Sequence, residues 1–89
     1  MSHRKHVVVS TKSYALAQTE SDKTHNRPVL YEALVTMRTG RVWVFRLGYT
    51  RKVHLMVGTS QDPEYKVARE AAYRALWNAL YGDSQAQTG

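Results

Sequence analysis

Cysteine is absent from the 89 residues, which excludes disulfides, thiolate nucleophiles and thiolate metal sites. The fold must rest on packing and hydrogen bonds, as suits a reducing compartment. No apolar run approaches the ~18 residues that a membrane span needs, and no apolar signal segment follows Met1. The expectation is a cytoplasmic protein with no membrane partner. Its four histidines, His3, His6, His25 and His54, have no helical H-x-x-x-H spacing, so no metal site is expected. Neither a phosphate-cradling glycine loop nor a nucleophile elbow occurs. No enzyme activity, cofactor or small-molecule substrate is expected.

Negative charge is also scarce. Thirteen Lys and Arg face seven Asp and Glu, for a formal net charge of +6. From Ala33 to Gln61 there is no carboxylate, yet Arg38, Arg41, Arg46, Arg51 and Lys52 lie there with His54. A second basic cluster, HRKH, spans His3 to His6. Such a field attracts polyanions, nucleic acid first, and would associate the chain with a nucleoid or nucleus.

What is present reads as one α+β domain, near the size at which a single core is only marginally sufficient. Residues 1–27 read as a basic arm or one short strand, HVVVS, followed by the polar loop TESDKTHNRP. Residues 28–82 read as a β-β-β-α unit. In the first strand Tyr31, Ala33, Val35 and Met37 alternate, and Thr39-Gly40 ends it. The second, RVWVFRL, sends Trp43, Phe45 and Leu47 to one face. After the turn GYTRK the third, VHLMV, alternates Val53, Leu55 and Val57 against His54 and Met56. Three strands with short connections make an antiparallel meander.

The helix that follows has a capping candidate in Asp62, Pro63 at its first position, Glu64 complementing its positive end and Gly82 to close it. At 100° per residue, Ala68, Ala71, Ala72, Ala75, Leu76 and Ala79 share one face. Small residues there let the backbone approach the sheet closely, so this face is assigned to the core. Tyr73, Trp77 and Tyr81 line the opposite face, with Lys66, Glu70 and Arg74 among them. That stripe is a candidate protein interface, for a homodimer or a foreign partner, unless the N-terminal segment folds over it. Residues 83–89 read as a disordered tail.

From Tyr31 to Leu80, the strand order, basic loop and alanine-rich helix resemble the double-stranded RNA-binding domain. Lys66, Ala68, Arg69 and Ala72 in KVAREAA match its final helix, and the resemblance implies phosphate contact by Lys66 and Arg69. Tyr65 stands where that family has a lysine. The same segment is similar to plant AP2-type and phage integrase arm-type DNA-binding modules, through GRVWVF at Gly40 to Phe45 and the pair Gly58-Thr59. That resemblance implies a reading face of Thr36, Arg38, Arg41, Arg46 and His54.

The candidate nucleic-acid-binding residues are therefore Arg38, Arg41, Arg46, Arg51, Lys52, His54, Lys66 and Arg69. Arginine forks pair with phosphates and reach base edges bidentately. The alternative is a protein-binding module of the small phage-regulator type, acting through Tyr73, Trp77 and Tyr81. One uninterrupted basic patch would favour nucleic acid; carboxylates breaking that patch would favour a protein partner.

Overall fold

The computed structural model describes residues 6–88, with side chains through Gly82. Its elements run β1 (Val8–Ala15), α1 (Glu20–Thr24), β2 (Tyr31–Met37), β3 (Val42–Leu47), β4 (Val53–Val57) and α2 (Tyr65–Thr88). The strands form one antiparallel sheet in the order β1-β2-β3-β4, and α2 packs against β1, β2 and β3. The α+β class and the meander under a C-terminal helix stand as expected, but the sheet has four strands, not three. The N-terminal segment is its fourth strand, paired with β2 along Val8–Ala15 and offset by a bulge between Val8 and Ser10.

The core is built on alternation. Tyr31, Ala33, Val35 and Met37 of β2 are buried, and so are Trp43, Phe45 and Leu47 of β3. The register sets Val35 beside Trp43 and Ala33 beside Phe45. Ala68, Ala72 and Leu76 of α2 close over them with no exposed surface. Alanine at the first two positions brings the helix axis near the sheet, leaving room for the Trp43 and Phe45 rings, whose centroids lie 6.3 Å apart. Tyr65, in the first turn of α2, sits 6.1 Å from each of them.

Gly58 follows β4 with φ +125°, and a Cβ there would run into the Trp43 indole. Only glycine fits both the backbone and the ring. Entry into α2 is fixed by Asp62, whose Oδ1 accepts the Glu64 N–H at 2.8 Å while its carbonyl accepts from Tyr65 at 2.9 Å. Asp62 thus opens a turn ahead of α2, whose first residue is Tyr65 and not Pro63 as expected, and the Glu64 carbonyl accepts the first helical bond, from Ala68 at 3.0 Å. Gly82, expected to stop the helix, does not. Helical backbone continues to Thr88, because no proline interrupts DSQAQT and Gly82 has open space around it. Expected as a structureless tail, 83–88 are helical, and Gly89 lies outside the described residues.

The polar loop before β2 contains α1. Thr19 caps it reciprocally: its hydroxyl accepts the Asp22 N–H at 3.0 Å, and Asp22 Oδ2 accepts the Thr19 N–H at 3.1 Å. Tyr49, in the β3–β4 turn, donates its hydroxyl to Asp22 Oδ1 at 2.6 Å, and Arg27 reaches the same oxygen at 3.1 Å. The Tyr49 hydrogen bond, with the Thr19 N–H and Arg27 behind it, holds the Asp22 carboxyl well below the usual range against burial. The same bond raises the Tyr49 phenol.

Candidate nucleic-acid interface

The sheet has one face under α2 and one uncovered by any described element. The meander sends the β2–β3 turn to one end and the β3–β4 turn to the other, roughly 20 Å away for strands of this length. The eight candidate residues divide among these places. Arg38 and Arg41 flank the β2–β3 turn, at the end where α2 begins with Lys66 and Arg69. Arg51 and Lys52 belong to the opposite turn, and Arg46 and His54 lie side by side on the uncovered face.

Three of the cations are held by other parts of the chain. Arg46 donates from Nε and Nη2 to Glu32 Oε2, at 3.1 and 2.8 Å. Tyr14 donates to Glu32 Oε1 at 2.7 Å. Burial pushes the Glu32 carboxyl up, but the Tyr14 hydroxyl and the Arg46 guanidinium outweigh it and hold the group below its usual value. Tyr14, Glu32, Arg46 and His54 thus form a polar row across all four strands. Arg41 is ion-paired with Asp62. Arg51 takes φ +63° in the turn and donates to the Val29 carbonyl at 3.1 Å, fastening the loop ahead of β2.

The carboxylates nearest the α2 start are likewise occupied. Glu64, buried, accepts from Thr39 Oγ1 at 3.1 Å and from Trp43 Nε1 at 3.4 Å. Local sequence pattern assigns Glu64 only to the helix dipole. Its role as acceptor for the buried indole depends on contacts 21 and 25 residues away, which such patterns do not encode.

Arg38, Lys52 and Lys66 have no side-chain partner among the described residues, nor do Lys12 and Arg74. The Arg38 N–H binds the Val7 carbonyl at 2.7 Å, so the chain leading back to His6 meets the sheet beside Arg38. His3, Arg4 and Lys5 lie outside the described residues.

Residues expected on two different surfaces meet on the outer side of α2. The Arg69 guanidinium lies 4.5 Å from the Tyr73 ring centroid and donates to the Tyr73 hydroxyl at 2.8 Å. Arg69, Glu70, Tyr73 and Arg74 line a shallow hollow there. Trp77 is half-buried against the core margin, and Tyr81 stacks on it at 6.1 Å, with 61% of its own surface exposed. Helical geometry at 100° per residue aligns Lys66, Arg69, Tyr73, Trp77 and Tyr81 along one broad strip.

Among the described residues no group of three or more His, Asp or Glu is placed to hold a metal ion, and no helix is long and apolar enough to cross a membrane. No family model, curated protein or solved structure matches the chain.

Proposed function

We propose that this protein is a non-enzymatic nucleic-acid-binding module whose contact surface is the outer face of α2, extended toward Arg38. The observation that carries this reading is the strip of Lys66, Arg69 and Arg74 interleaved with Tyr73, Trp77 and Tyr81. Cations there that no carboxylate holds are free to neutralise phosphates, and aromatic rings beside them supply stacking surface for bases. Glu70 is the one carboxylate within the strip. Arg41, Arg46 and Arg51, being held internally, have structural roles in this reading. The work of phosphate contact falls to Lys66, Arg69, Arg74, Arg38 and the HRKH segment.

Fluorescence anisotropy of the full chain against labelled duplex DNA, duplex RNA and single strands, each at low and high salt, tests the proposal. Binding should weaken steeply with salt. Lys66→Glu with Arg69→Glu should weaken it by more than ~10-fold, two phosphate contacts being reversed in sign. Arg46→Gln should leave it within about twofold.

A second reading, a protein-binding module of the small regulator type acting through Tyr73, Trp77 and Tyr81, draws on a specific observation. Asp62 and Glu32 interrupt the basic block at Arg41 and Arg46. Absence of binding to every nucleic acid at low salt would favour this second reading.

A further inference from the structure

The two edges of the sheet differ. β1 carries a bulge and Lys12, features that discourage another strand from pairing. β4 is VHLMV, with no proline and no Lys, Arg, Asp or Glu. Met56 and Val57 there are 44% and 52% exposed.

The hydrogen-bonding directions of β4 follow from its register. Gly48 N–H bonds to the Lys52 carbonyl at 2.9 Å. The alternation of an antiparallel ladder then turns His54 toward its partner Arg46 and points the N–H and C=O of both Val53 and Leu55 outward. Beyond Leu55 the strand is bulged, Met56 and Val57 together opposing Val44. The free edge is therefore three residues long and has two donors and two acceptors.

We infer that this edge pairs with the same edge of a second copy, antiparallel about a two-fold axis through His54. In that register Val53 faces Leu55 of the second copy and Leu55 faces its Val53, so all four outward groups of each copy are used. No other symmetric register achieves this, because the bulge withdraws Met56 and Val57. Side chains fit as well: Val53 and Leu55 meet on the α2 side, where α2 leaves β4 largely uncovered. The two Lys52 side chains stand at opposite ends of the paired segment, so no lysines are opposed. The product is an eight-stranded sheet with an α2 at each end, a two-fold assembly closed by one isologous contact. This pairing uses none of the α2 strip and is therefore independent of the nucleic-acid reading.

Sedimentation equilibrium of the full chain over a concentration series up to ~0.5 mM tests it, a range that populates even a weak dimer. A monomer–dimer equilibrium is expected. Val53→Pro removes an outward N–H at the first position of an edge strand, where proline is tolerated. It should raise the dimer Kd by at least ~10-fold, two hydrogen bonds per dimer being lost. His54→Lys, on the exposed face, opposes two ammonium groups across the axis and should do the same. Tyr81→Glu should leave the Kd unchanged. A wild type that stays monomeric throughout overturns the inference. So does a dimer that resists both β4 variants, or one abolished by Tyr81→Glu alone.

Discussion

The Trp43 indole lies directly against Gly58, filling the space that any side chain at residue 58 would need. Glycine at this point joins β4 to the α2 entry loop while the largest core ring packs on its backbone. Gly58→Ala should therefore destabilise by about 2–4 kcal/mol, combining strain at positive φ with overpacking. Gly40, at φ +94° with nothing within 4 Å of where a Cβ would stand, meets the strain alone, and Gly40→Ala should cost about 1–2 kcal/mol. Urea unfolding of both variants checks the order, and equal losses would mean that Trp43 does not press on residue 58.

Glu64 accepts from the buried Trp43 indole and from Thr39. Glu64→Ala strands the indole N–H and should cost about 1–3 kcal/mol. Glu64→Gln keeps an acceptor and should cost less. Thermal melts of the pair, read by Trp fluorescence, separate this role from a helix-dipole effect, which would penalise both variants alike.

Ala72 has no exposed surface beneath the sheet. Ala72→Leu should overpack that interface and destabilise by about 1–3 kcal/mol. A melting temperature equal to wild type would show that the helix can lift away without loss.

The contact of Tyr49 with Asp22 links stability to pH at both extremes. The depressed Asp22 carboxyl stabilises the fold fully above its unfolded pKa of ~3.9, and that contribution is lost as pH falls through the lower folded value. The raised Tyr49 phenol contributes fully below its unfolded pKa of ~10 and loses its share as pH rises through the folded value. The loop from Leu16 to Leu30 should thus stay fastened to the β3–β4 turn between about pH 4 and 10 and loosen outside that window. Amide hydrogen exchange of α1 against pH reads this directly. Tyr49→Phe should move the Asp22 titration back toward the ordinary carboxylate range, and no movement would assign the depression to Arg27 and Thr19 instead.

Legibility in the sequence followed burial. β2 and β3 show strict alternation because one face of each meets α2, and that period is written in Tyr31 to Met37 and Trp43 to Leu47. β1 lies at the edge with its side chains from Thr11 to Ala15 exposed, so neither face imposes a hydrophobic pattern and STKS reads as loop. α1 is five residues long, too short for any period, and only its Thr19 and Asp22 cap pair signals it. The split of the basic block is hidden for a different reason. Arg46 meets Glu32, and Arg41 meets Asp62, across 14 and 21 residues, and the run from Ala33 to Gln61 looks unopposed until the strands are laid side by side. Arg69 and Tyr73, by contrast, are helical neighbours four residues apart, so helical spacing alone suffices to bring them together on one surface.

The strand order β1-β2-β3-β4 has a kinetic consequence. Every strand pairs with its neighbour in sequence, so the sheet can zip up hairpin by hairpin without threading a distant segment between strands already formed. Loop closure is short for β2–β3 and β3–β4, and longer for β1, which must wait for the segment around α1 to turn back. The central hairpin, already carrying Trp43 and Phe45, is the natural nucleus, with β1 the last strand to join. Refolding of such a sheet of neighbour-paired strands belongs nearer the millisecond range of mixed α/β domains than the seconds of a sandwich.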